Sequence, residues 1–85
     1  MAGYSIFFRK SVERDLARIP KPDVRRIMDR ILALAEDPRP RGSEKLSSQE
    51  RYRVRQGTYR IVYSVQNGDL TVWVVKVGHR RNVYR

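Results

Sequence analysis

Arginine stands at every second position in Arg51, Arg53 and Arg55, returns at Arg60, and appears again at Arg80 and Arg81. A guanidinium stays protonated in proteins and presents its N–H donors in a planar fork. Side chains of this kind grip phosphate oxygens, and do so bidentately. Little acid interrupts them: residues 51–85 hold 8 Lys/Arg against 1 Asp/Glu, whereas residues 1–50 hold 11 against 8. The formal charge is +10, and most of the excess sits in this C-terminal part. A polyanion is the partner such a surface fits. Two further residues could take part. His79 is the single histidine. Tyr84 lies among basic residues, where a phenol ring can stack on a base for roughly 1–3 kcal/mol.

Composition narrows the chemistry. There is no cysteine, so neither a disulfide nor a thiolate metal site is expected, and a reducing, cytoplasmic setting fits. One histidine makes an all-protein zinc site unexpected. No apolar run approaches the ~18 residues of a membrane span, and no signal peptide is visible. With 85 residues, a single domain over 1–85 is expected: one layer of helix on one layer of sheet, with little room for a large organic cofactor. No cofactor, metal or membrane partner is expected.

Several elements must carry the arginines. Tyr4-Ser5-Ile6-Phe7-Phe8 reads as a short strand. Ser11 is placed to N-cap a short helix with Val12, Leu16 and Ile19 on one side. Pro20 and Pro22 interrupt the chain, and Pro22 suits a first helical turn. Val24, Ile27, Met28, Ile31, Leu34 and Ala35 fall at helical spacing, and this second helix ends by Asp37, before Pro38. Residues 38–43 read as a loop. From Tyr52 the hydrophobic period changes to two. One strand carries the alternation of Arg51, Arg53 and Arg55 with Tyr52 and Val54, and two more follow over Tyr59–Val65 and Leu70–Val77, with turns at Gln56-Gly57 and at Asn67-Gly68. The order is β-α-α-β-β-β. It predicts an α+β domain, an antiparallel sheet with a two-helix hairpin packed on one face.

Two-residue turns fix which way each side chain points. Gln66 then faces Asp69, Ile61 faces Val74, and Arg53 faces Arg60. Moving the first turn to Gly57-Thr58 keeps the same parity. One sheet face carries Tyr52, Val54, Tyr59, Ile61, Tyr63, Val65, Leu70, Val72 and Val74, and should lie under the helices. The other carries Arg51, Arg53, Arg55, Arg60, Ser64, Thr71, Trp73 and Val75. His79 shares the parity of Trp73 and Val75 if the strand continues past Gly78. Arginines directly opposite each other repel, and a phosphate or a partner's acids would relieve that.

Tyr52-Arg53-Val54-Arg55, Gly57-Thr58-Tyr59-Arg60-Ile61-Val62-Tyr63 and Val77-Gly78-His79-Arg80-Arg81-Asn82-Val83-Tyr84-Arg85 together resemble the RelE-type toxins of the RelE/ParE toxin–antitoxin superfamily. The resemblance extends to Tyr4-Ser5-Ile6 and Leu16-Ala17-Arg18-Ile19-Pro20, and so covers nearly the whole chain. It implies cleavage of messenger RNA in the ribosomal A site. In that reaction the ribose 2′-hydroxyl attacks the adjacent phosphate and no metal takes part. Arg53, Arg55, Arg60 and Arg80 match the family's basic active-site positions, and Tyr84 matches its C-terminal tyrosine. The best-known RelE toxin has lysines where this chain has Arg53 and Arg55, and an arginine does not serve as a proton acceptor. Relatives of the YoeB kind use a glutamate and a histidine. By that resemblance Glu44 is the base and His79 the acid. The resemblance also implies a RelB-like antitoxin, the ribosome and mRNA as partners, with operator DNA bound by the toxin–antitoxin complex. Two alternatives remain beside it: a ParE-type inhibitor of DNA gyrase that cuts no RNA, and a non-catalytic nucleic-acid-binding module.

Overall fold

The computed structural model describes residues 3–46 and 50–79. Seven elements follow in chain order: β1 (Ser5–Phe8), α1 (Lys10–Ala17), α2 (Lys21–Ala33), β2 (Glu44–Lys45), β3 (Arg51–Gln56), β4 (Tyr59–Gln66) and β5 (Thr71–His79). The strands form one sheet in the order β1-β5-β4-β3-β2. The expected α+β architecture is observed. Strands β2 to β5 pair antiparallel, as expected. β1 instead joins parallel to β5. The helical hairpin and three strands separate β1 from β5, so the chain can re-enter beside β1 in its own direction. β2 is a two-residue edge strand that the sequence pattern did not announce.

Strand β1 passes directly into α1. Arg9 is extended (φ −71°, ψ 151°) and its N–H donates to Val74 O at 3.0 Å, so it still belongs to the sheet while capping the helix. The helix therefore starts two residues earlier than a Ser11 cap would give, and Ser11 lies within its first turn. Pro20 precedes α2 and Pro22 occupies its first turn, where a missing N–H costs nothing. Val12, Ile27, Ile31 and Leu34 from the helical layer bury themselves on Val54, Ile61, Tyr63, Val65, Val72, Val74 and Val77 of the sheet. Most of the expected inner face is thus present.

Three details of register differ. The first hairpin turns at Gly57-Thr58, with Gln56 opposite Tyr59. Gly57 has φ 61°, the positive angle that a type II′ turn requires at its first central residue. The second hairpin closes with Gln66 opposite Thr71, a four-residue loop rather than a two-residue turn. Here tertiary contacts outweigh the local Asn-Gly preference. Asn67 Oδ1 accepts from the Tyr4 hydroxyl (3.0 Å) and from Arg39 Nη2 (3.2 Å). Leu70, expected under the helices, closes the loop at φ 49° and is exposed. The change of two residues preserves the facing of the strands.

The third difference reverses it. Tyr63 pairs with Val74 but Val62 pairs with Lys76, so Val75 is the extra residue of a β-bulge. A bulge adds one residue on one strand and flips the alternation beyond it. Val77 consequently points inward, opposite Ile61, and His79 lies opposite Tyr59. The bulge is tied to the helical layer, because Val77 N–H donates to Asp15 Oδ2 on α1 at 3.0 Å. Asp15→Ala is expected to destabilise the fold by about 1.5–3 kcal/mol, the range for a hydrogen bond to a charged group. Urea titration checks this, and an unchanged midpoint would count against the anchoring role.

Tyr63 is fully buried, and its hydroxyl donates to Pro38 O at 2.7 Å. Burial pushes its phenol up to about 12, against about 10 in an unfolded chain. Below pH 10 the phenol is protonated in both states and adds no pH dependence. Between pH 10 and 12 the unfolded chain releases the proton first, so stability falls by roughly 2–3 kcal/mol. Denaturant titrations across this range test the loss, and Tyr63→Phe should flatten that part of the profile.

Candidate nucleic-acid interface

The face of the sheet turned away from the helices can be followed row by row, since paired residues point to the same side. One row runs Phe7, Trp73, Ser64, Arg51 across β1, β5, β4 and β3. The next runs Lys76, Val62, Arg53, Glu44 across β5, β4, β3 and β2. The third runs Gly78, Arg60, Arg55. Thus Arg53, Arg55 and Arg60 share one face, as expected. The like-charge pair is Arg55 opposite Arg60, whereas Arg53 faces Val62. That follows from the turn at Gly57-Thr58.

Glu44 reaches this face through the edge strand. It pairs in register with Arg53, and its carboxylate forms an ion pair with the Arg53 guanidinium. The Arg53 side chain is 15% exposed and that of Glu44 is 55% exposed. A shielded cation is therefore coupled to a carboxylate that remains open to solvent. Arg60 is half-buried, with its Nε withdrawn from solvent, and Arg55 is exposed. Gly78 stands opposite Arg60 and adds no side chain over it.

Lys76 belongs to the same face. The alternation of the strand alone would have turned it inward, and only the bulge brings it out. His79 goes the other way. The expected parity with Trp73 fails because Val75 is inserted, and His79 points to the helix side. Its ring meets Tyr59 edge-on with centroids 6.0 Å apart. Both line a cleft of about 330 Å³ with Asp15, Arg18 and Ile19. The structure thus brings Glu44, Arg53, Arg55 and Arg60 together and places His79 on the opposite side of the sheet. Arg80 and Tyr84 lie outside the described residues. Among the described residues, no group of three or more His, Cys, Asp or Glu side chains is arranged to hold a metal ion. No helix among them is long and apolar enough to cross a membrane.

A polar clasp fixes the start of β3. Arg39 donates from Nε to the Tyr52 hydroxyl (2.9 Å) and from Nη2 to Glu50 Oε2 (3.3 Å), and the Tyr52 hydroxyl donates to the same Glu50 oxygen at 2.9 Å. Lys45 Nζ donates to Glu50 Oε1 at 3.4 Å, linking β2 to the clasp. The Tyr52 hydroxyl, then Arg39 and Lys45, hold the Glu50 carboxyl below the usual range. The clasp orders the chain on both sides of the Glu44–Arg53 pair.

A sequence model of the family described as the ParE toxin of the type II toxin–antitoxin system parDE matches residues 6–84. The chain belongs to this family. It is a toxin of the RelE/ParE superfamily. Toxin RelG of Mycobacterium tuberculosis is 27% identical over 88 residues, covering 96% of this toxin and 97% of that one. The toxin–antitoxin complex RelBE2 of the same organism has a chain that superposes with a TM-score of 0.80 at 26% identity, covering 92% of this toxin and 99% of that chain. The archaeal RelE–RelB complex of Pyrococcus horikoshii OT3 gives a TM-score of 0.81 at 28% identity, covering 95% and 99%.

Proposed function

We propose that the toxin is a ribosome-dependent mRNA endoribonuclease, an mRNA interferase, that stops translation in the cytoplasm. The observation that carries this reading is the convergence of Arg53, Arg55 and Arg60 with Glu44 on one open sheet face. In-line attack by a ribose 2′-hydroxyl on the adjacent phosphate builds negative charge on a five-coordinate phosphorus, and the bond to the 5′-oxygen then breaks, leaving a 2′,3′-cyclic phosphate and a 5′-hydroxyl protonated from water. Guanidinium groups already in place stabilise that charge without reorganising at the moment of reaction. Arg53 is shielded and tethered, which suits it to binding the phosphate in a fixed orientation. Arg55 and Arg60 lie directly opposite each other, so an anionic phosphate between them relieves their repulsion.

Glu44 takes the proton of the 2′-hydroxyl. A carboxylate accepts a proton, and a face made of arginines alone cannot. Arg80 and Tyr84 remain part of the proposed site through the family resemblance, as a further phosphate ligand and a base-stacking ring. His79 stands on the far side of the sheet, so we assign it no proton transfer. A RelB-like antitoxin is the proposed partner, because the similar toxins of M. tuberculosis and P. horikoshii are found in RelBE and RelE–RelB complexes.

The family description supports a second reading, a ParE-type toxin acting on DNA gyrase without cutting RNA. Cell-free translation with primer extension on the message separates the two. Cuts within ribosome-bound codons are expected. Unbroken message together with trapped gyrase–DNA complexes would replace the first reading by the second.

A further inference from the structure

Phe7 and Trp73 are stacked on the arginine-bearing side of the sheet, with ring centroids 5.1 Å apart and planes 27° from parallel. Neither ring belongs to the core. Phe7 is 46% exposed and Trp73 is half-buried. A cross-strand aromatic pair contributes roughly 0.2–1 kcal/mol to its sheet, and the ring surface this one leaves exposed is open to a ligand. The surroundings are basic. Arg51 lies in the same transverse row, two strands from Trp73. Arg9 and Lys10 border a hollow of about 400 Å³ that Trp73, Ser64 and Gln66 floor. Neighbouring strands lie about 4.8 Å apart and two residues along a strand span about 6.7 Å, so Trp73 stands roughly 12 Å from Arg53.

We infer that the Phe7–Trp73 stack is a base-stacking platform that binds a nucleotide of the single-stranded RNA flanking the phosphate held by Arg53, Arg55 and Arg60. The inference rests on the ribonuclease reading and adds a subsite to it. An aromatic ring on an open sheet stacks a base of any sequence, because every base has a π-face. Arg51 is placed for the backbone between the platform and the arginines. Arg9 and Lys10 are placed for the backbone on the far side. Arg9, Lys10, Arg51 and Lys76, the cations nearest the platform, favour a polyanion, and the stacked rings favour one that carries planar bases.

Trp73 is the chain's single tryptophan, so its fluorescence reports on this subsite alone. The probe is a short 2′-O-methyl oligoadenylate, which lacks the attacking hydroxyl and stays intact on the full-length toxin. Saturable quenching of Trp73 emission is expected. An abasic strand of equal length should give no quenching and bind at least about 5-fold more weakly, the lower bound for one lost stack. Trp73→Leu should weaken oligoadenylate binding to the same degree, measured by anisotropy, while Trp73→Phe retains most of it. Circular dichroism establishes that each variant folds. Equal affinity for the abasic strand, or wild-type affinity in a folded Trp73→Leu variant, would overturn the platform while leaving message cleavage intact. A Trp73→Leu variant that loses only antitoxin binding would overturn it too, since the surface would then belong to a polypeptide. Absence of any RNA binding by wild-type toxin, together with uncut message, would remove the ribonuclease reading itself.

Discussion

Arg60→Ala is expected to lower the rate of message cleavage by about 10²- to 10³-fold, the cost of removing one preorganised donor from a developing oxyanion. Arg60 meets the conditions for such a donor. It is half-buried, its Nε is withdrawn from solvent, and it faces Arg55 across the β3–β4 hairpin. A cation held in a partly water-excluded place acts on a nearby charge far more strongly than one in bulk water. Arg60→Lys keeps the charge but loses the fork, so it should fall between wild type and alanine. Single-turnover primer extension on programmed ribosomes measures the rate with binding saturated. A folded Arg60→Ala variant that cuts as fast as wild type would take Arg60 out of the transition state. Arg55 is exposed on the opposite strand, and its alanine variant should show the smaller loss of the two.

Glu44→Gln should cost more, about 10²- to 10⁴-fold, the range for a positioned general base. The amide keeps the size of the side chain and an oxygen for Arg53, so the edge pairing of β2 with β3 should survive. The capacity to accept a proton is lost, and so is the negative charge opposite Arg53. The ion pair with Arg53 offers a competing role, in which Glu44 merely orients that guanidinium. The two roles differ in pH dependence. If Glu44 is the base, the wild-type rate rises with pH on its acidic limb, and Glu44→Gln abolishes that limb. A modest loss of rate with the limb intact would reduce Glu44 to a positioning residue.

Much of this geometry was legible in the sequence. Alternation from Arg51 to Arg55 gave the correct facing, because a half-buried sheet punishes any slip that would turn Val54 or Tyr63 outward. The helical hairpin followed from apolar spacing and from Pro20 and Pro22. Other features depended on long-range contacts that no local pattern encodes. Asn67-Gly68 did not form a tight turn, since Tyr4 and Arg39 engage the Asn67 side chain. Glu44 entered the site through a strand of two residues, too short to leave a periodic signature. The bulge at Val75 was the most consequential of these. Val-Val-Lys-Val reads equally well with or without an inserted residue, and the decision rests on Asp15, which stands 62 positions away from the amide it holds.

That bulge works as a frame-setter for the end of β5. Regular alternation resumes beyond it, so the sides assigned to Lys76, Val77 and His79 all depend on one inserted residue. Loss of the single codon for Val75 would exchange those sides in one step, withdrawing Lys76 from the arginines and delivering the histidine to them. A lineage could therefore move between the proposed arginine–glutamate site and one that includes a histidine by an insertion or deletion, with every side chain of the proposed site unchanged in identity.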